Sequence, residues 1–119
     1  YKKKVILIDR FTDSTIAYQH YGMGVSINLI KTLNKFLLKN INVDFTFLNI
    51  VNRKNLYERL KKRKSLNRYD RFDMNFYNKV QNGFISLSKL KENKYKLINS
   101  NLNIKSNENL ILRIVDKLI

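Results

Sequence analysis

Apolar and polar positions change period several times along these 119 residues. Val5-Ile6-Leu7-Ile8 is an unbroken apolar run that stops at Asp9-Arg10. A short apolar run without alternation reads as a buried strand of a parallel sheet, here about Lys4–Ile8. A helix is expected to begin near Thr12 or Asp13, both good N-caps, and to end near Gly22, a good C′ residue. Gly22-Met23-Gly24 then makes a turn. Leu29, Ile30, Leu33, Phe36 and Leu37 recur at spacings of three and four, which predicts a helix over about Ser26–Lys39 with one buried face.

The same alternation continues. A strand is expected at about Asp44–Val51, then a helix capped by Asn52 and running to about Arg63, with Leu56 and Leu60 on its inner side. Lys61 to Asp73 is dense in Lys and Arg and poor in core candidates. Phe76, Tyr77, Val80, Phe84, Leu87 and Leu90 mark a long helix ending near Lys91. Gly83 lies within it at a cost of up to ~1 kcal/mol relative to Ala, which suggests a close approach to another backbone. A strand at about Tyr95–Asn99 and a helix over Ser106–Leu118, capped by Ser106, close the chain. Strands alternating with helices give an α/β class with a parallel sheet covered by helices.

The length suits one domain with a modest core. Net charge is +15, from 24 Lys and Arg against 9 Asp and Glu, a balance that favours polyanionic partners. Lys, Asn and Ile abound while Pro, Trp and Cys are absent. Codons for these three are rich in A and T, so much of the Lys reads as solvated surface of compositional origin. Without Cys and with His20 as the single histidine, disulfides, thiolate sites and multi-His metal sites fall away. No apolar run approaches the ~18 residues of a membrane span. No signal peptide is seen, and the expectation is a cytoplasmic protein.

Three constellations could carry chemistry. Asp9-Arg10 stands at a strand tip, where open α/β sheets bind ligands. Such an Asp can hold Mg²⁺ or its waters, and such an Arg can fork a phosphate. On the dipeptide alone, an ion pair or a cap is the simpler reading; the residues that follow change it. Ser14, Thr15, Tyr18 and Gln19 share one side of the next helix. Hydroxyls and an amide there could read the edge of a pyrimidine, with Tyr18 against its sugar; alternatively Ala17 and Tyr18 are core and Gln19 is surface. Arg59, Lys61, Lys62, Arg63, Lys64, Arg68 and Arg71 form the basic stretch. It is either a loop that closes over a nucleotide or a solvated helix end with well-placed cations.

Taken together, these pieces resemble the C-terminal part of a thymidylate kinase, over nearly the whole chain. Asp9-Arg10-Phe11 with Ser14-Thr15-Ile16-Ala17-Tyr18-Gln19 is similar to the family's Asp-Arg-Tyr/Phe…Ser-Ser/Thr-x-Ala-Tyr-Gln. Val43-Asp44-Phe45-Thr46 stands for its Pro-Asp-Leu-Thr, and Leu66-Asn67-Arg68 for its Leu-Asp-Arg. Asn78-Lys79-Val80 to Gly83-Phe84 with Leu87 resembles its Lys-Val-x-x-Gly-Tyr-x-x-Leu helix. Leu97-Ile98-Asn99-Ser100 stands for a Val-Ile-Asp-Ala strand end.

The resemblance implies a P-loop kinase-like three-layer sandwich, incomplete, with strands three to five and their helices. Residues 1–119 would be the C-terminal portion of one nucleotide-kinase domain, with a lid at about 61–73. It implies transfer of the ATP γ-phosphate to dTMP with Mg²⁺, giving dTDP for dTTP synthesis. Arg10 would clamp phosphate and Asp9 would hold the magnesium's water shell. Ser14, Thr15, Tyr18 and Gln19 would line the dTMP pocket, with Arg63 and Arg68 as lid cations. It also implies a homodimer through the first two helices.

Departures exist. Lys64 replaces a lid glycine, and Asn67 and Ile50 each replace an Asp. No Gly-x-x-x-x-Gly-Lys-Ser/Thr occurs; the glycines are Gly22, Gly24 and Gly83. An N-terminal half carrying that phosphate loop is thus an expected partner, and these residues alone are expected to be inactive. In the implied fold, strand one lies between strands three and four, so their facing edges are expected to lack a partner. Three other readings stay open: a nucleoside or nucleotide kinase of different base specificity, a basic nucleic-acid-binding module, and a decayed remnant without function. Against the module, most aromatics fall on expected core faces and no RNA- or DNA-binding motif occurs.

Overall fold

The computed structural model describes residues 4–63 and 73–119. In order these form α1 (Thr12–Thr15), a π-helix (Ile16–Gly22), α2 (Ile27–Leu38), β1 (Thr46–Ile50), α3 (Arg53–Lys61), α4 (Met74–Leu90), a 3-10 turn (Glu92–Lys94), β2 (Tyr95–Asn99) and α5 (Ile104–Leu118). From the first helix onward the elements follow the expected order, and among the described residues the one sheet is parallel. β1 pairs with β2 in the register Thr46↔Tyr95 to Ile50↔Asn99. Leu48 and Ile98 point to its buried side.

The expected first strand does not form. Residues 4–8 are irregular, and Val5, Ile6, Leu7 and Ile8 are 56–88% exposed. A strand needs a ladder partner for its N–H and C=O groups. Among the described residues, β1 bonds only to β2, and residues 4–8 join no sheet. The fold is therefore helix-rich, with two strands where three were expected.

The core sits between α4 and the helix leaving the 4–11 segment. Ile16, Ile30 and Leu87 form one buried cluster, joined by Val25 and Ile27. Ala17, Phe76 and Val80 form a second, flanked by Tyr18, Tyr77 and Phe84. Two glycines allow the approach. A Cβ on Gly22 would lie 2.6 Å from Phe76 Cε2, and one on Gly83 would lie 2.7 Å from the Tyr21 ring. Gly83 thus marks a close approach, as its cost in a helix suggested, although to a ring rather than to backbone.

Several boundaries move. Neither Thr12 nor Asp13 caps α1: Phe11 precedes it, with no side-chain cap bond. The Asp13 carboxylate turns to the sheet, accepting the Tyr95 hydroxyl hydrogen bond and facing Lys91 Nζ at 3.7 Å. Gly22 ends the π-helix, but the left-handed residue is Gly24, at φ 78°. Asn103, not Ser106, caps α5; its Oδ1 accepts from Ser106 N–H at 2.8 Å. Ser26, Asn52 and Asp73 cap α2, α3 and α4 through their side chains.

The face expected to be buried on α2 is largely open. Ile30 is buried against Ile16 and Leu87, whereas Leu29, Leu33, Phe36 and Leu37 are 50–72% exposed. Ile30 lies where the π-helix and α4 meet, and the other four have no described element above them. Among the described residues, no helix is long and apolar enough to cross a membrane.

Candidate functional site

Asp9 and Arg10 follow the apolar run and are both exposed. Arg10 takes φ 64°, a left-handed conformation that non-glycine residues seldom adopt. It turns the chain from the extended segment into α1, where Ser14 N–H donates to Phe11 O at 3.0 Å. Backbone strain of this kind is held only where the surroundings over-determine it. Here the guanidinium meets the Tyr18 ring, with Cζ 5.3 Å from the centroid, within cation–π range.

Tyr18 is itself fixed from behind. Its ring meets Phe76 edge-on at 6.0 Å and Phe84 at 6.3 Å between centroids. The aromatic is therefore a wall between α4 and the Arg10 cation, half in the core and half at the surface. Ala17, fully buried beside it, lets this turn press on α4. The core reading of Tyr18 holds, and the face that it turns from the core carries the Arg10 guanidinium.

Residues 16–22 form a π-helix rather than the expected α-helix. A π-helix widens the turn and often occurs at functional sites. Gln19 O accepts from Val25 N–H and His20 O from Gly24 N–H, both at 2.8 Å. His20 Nδ1 bonds Val25 O at 2.8 Å. These bonds fold residues 23–25 back onto the helix end and hold Gln19 in place. The sequence offered Gly22 and Gly24 as turn signals and nothing that marked the wider helix. Ser14 is half-buried, Thr15 is exposed and Gln19 is half-buried, so all four of Ser14, Thr15, Tyr18 and Gln19 lie on one short segment after Arg10.

Arg63 follows the last turn of α3, its N–H donating to Leu60 O at 3.2 Å. α3, like the π-helix, packs on α4. Most of the stretch expected as a lid, with Arg68, lies in residues 64–72, outside the described residues.

The C-terminal ends of β1 and β2 carry polar contacts that sequence reasoning did not single out. Gln81 Oε1 on α4 accepts from Val51 N–H at 3.0 Å. Asn101 joins the loop after β2 to the start of α3. The repeated Asn residues near both strand ends were the available signal. Among the described residues, no group of three or more His, Cys, Asp or Glu could hold a metal. A single carboxylate such as Asp9 still suits Mg²⁺, which commonly takes one or two carboxylates with waters and substrate phosphates.

Comparison with known proteins bears on the family and the fold. A family model described as thymidylate kinase matches residues 1–111. The thymidylate kinase of Wolbachia pipientis wMel is 37% identical over 115 residues, covering 97% of this chain and 56% of that protein. That of Ehrlichia chaffeensis is 41% identical over 88 residues, covering 74% and 41%. A crystal structure of thymidylate kinase from Ehrlichia chaffeensis superposes with a TM-score of 0.61 at 29% identity, over 92% of this chain and 48% of that one. The chain spans about half the length of these relatives, and its α/β architecture is part of the P-loop kinase sandwich. With the family model spanning residues 1–111 and a relative 37% identical over 97% of its length, the chain belongs to the thymidylate kinase family.

Proposed function

We propose that these residues supply the acceptor side and the lid stem of an ATP-dependent thymidylate kinase, which transfers the γ-phosphate of ATP to dTMP and yields dTDP. The observation that carries this reading is Arg10, held left-handed over the Tyr18 ring. A guanidinium fixed against an aromatic wall can fork a phosphate without first being ordered. Ser14, Thr15 and Gln19 offer two hydroxyls and an amide for the pyrimidine edge, and Tyr18 packs beside the sugar.

Transfer of this kind depends on positioning and on neutralising charge around the moving phosphoryl group. In this reading Arg10 bridges the facing phosphates. Asp9 would hold Mg²⁺ through water, and the ion would supply charge neutralisation. Arg63 and Arg68 bring lid cations over the reacting group and exclude water. The 119 residues hold no Gly-x-x-x-x-Gly-Lys-Ser/Thr, so the cradle for the β- and γ-phosphates comes from a segment outside them. The apolar outer face of α2 supports subunit pairing, since large exposed apolar patches mark contact surfaces. A cytoplasmic location belongs to the same proposal.

The test combines these residues with a phosphate-loop segment, in one polypeptide or as two, and measures dTDP formation from ATP and dTMP. Arg10→Ala is expected to lower kcat by about 100-fold or more, the scale of losing one preorganised charge-stabilising donor. Arg10→Lys is expected to recover little, because the forked geometry is lost. An Arg10→Ala protein of undiminished activity overturns the reading. So does a protein that phosphorylates another nucleotide and leaves dTMP untouched.

A further inference from the structure

α3 buries none of its residues. Leu56 and Leu60 are half-buried, and its packing is against α4. A helix held by so little apolar surface owes its direction to polar ties. Those ties converge on the loop after β2. Asn101 Oδ1 accepts from Asn52 N–H at 3.1 Å and from Asn55 Nδ2 at 2.9 Å. Its own Nδ2 and backbone N–H both donate to Asn99 Oδ1, at 2.8 and 3.0 Å. Asn107 Nδ2 on α5 donates to Asn99 O at 3.0 Å.

Farther along α3, the Arg59 guanidinium donates to Ser100 O. Ser100 is anchored in turn, because its N–H donates to Ile50 O at 2.8 Å, extending the β1–β2 ladder by one bond. The first turn of α3 is thus fixed by Asn101, and a point near its end by Arg59. Two points define an axis. The chain that leaves this axis is Lys62-Arg63 and the basic stretch beyond.

We propose that Asn101 and Arg59 are positioning residues: together they clamp α3 to the strand ends and so set where Arg63 stands during phosphoryl transfer. This rests on the kinase reading above. Arg59 acts here through its bond to a carbonyl rather than as a cation facing phosphate. Its role therefore depends on planar reach, which Lys lacks. Misplacing a reacting group by an ångström can cost ~100-fold in rate, so a modest swing of α3 is enough to matter.

The test uses a protein that holds both these residues and a phosphate loop, with Arg59→Ala, Arg59→Lys, Asn101→Ala and the Arg59→Ala/Asn101→Ala double variant. Each single variant is expected to lower kcat/KM for ATP about fivefold or more, the scale of one lost hydrogen bond. The KM for dTMP is expected to stay within about twofold, because the Arg10–Gln19 segment lies on a different element. The double variant is expected to be little worse than either single one, since both remove one shared constraint. Full rescue by Arg59→Lys with a silent Asn101→Ala overturns the proposal, as it makes Arg59 a simple charge. A fall in melting temperature with kcat and both KM values unchanged also overturns it, as it makes the contacts merely structural. An unsubstituted protein that forms no dTDP overturns the kinase reading and the role in transfer with it. The clamp itself is then decided by amide exchange across residues 53–61, which both alanine variants accelerate if it exists and leave unchanged if it does not.

Discussion

The pairing of the π-helix with α4 and the opening run Val5–Ile8 are equally apolar in sequence, yet they end in opposite places. Ile16 and Ala17 on one side and Phe76, Val80 and Leu87 on the other are all buried. Val5 to Ile8 stand mostly in solvent. The difference lies in supply rather than in demand. A helix closes its own backbone hydrogen bonds and needs only one apolar surface to lean on. A strand needs a neighbour for its backbone before burial counts at all. α4 gives the π-helix its surface, and no described residue gives the run at 5–8 a ladder.

The largest break in this comparison is Phe76→Ala. Phe76 touches Tyr18, Tyr77 and the space over Gly22. Its loss is expected to cost about 3–5 kcal/mol, a large share of the ~5–15 kcal/mol typical of a whole domain. Circular dichroism during urea titration should show helix lost at much lower denaturant. Gly83→Ala comes next. Helix propensity alone favours Ala, but its Cβ meets Tyr21, so a loss of about 1–3 kcal/mol is expected from overpacking; a gain in stability would mean that Tyr21 moves aside freely. The smallest effect is Leu7→Ser. An exposed site predicts a change within about 0.5 kcal/mol in these residues alone. The same substitution should become clearly destabilising once a partner strand is supplied, and that contrast is the sharper measurement.

How much was legible follows the same division. The helices α2 and α4, both strands of the sheet and the Asn52 cap could be read from period and capping chemistry, which are local. The strand at 4–8 and the buried face of α2 could not, because their periodicity states a need without saying whether the chain meets it. Among the candidate residues, Arg10 stands against Tyr18, a pairing that no spacing rule singled out. The left-handed turn at Arg10 was not legible, since nothing in the residue type calls for it. The widened helix at 16–22 escaped for the same reason. Asn103 and Ser106 compete for one cap with equal chemistry, and only the direction of the preceding loop decides.

Gly22 and Gly83 have one more consequence. Each lies beneath an aromatic of the opposite helix, Phe76 and Tyr21 respectively. Two such seats, pointing in opposite senses, act like a pair of dowels. One alone would leave the helices free to pivot about it; two remove both rotation and sliding. The azimuth of Tyr18, and with it the side on which Arg10 waits, is therefore set by two hydrogen atoms that stand where side chains would otherwise be.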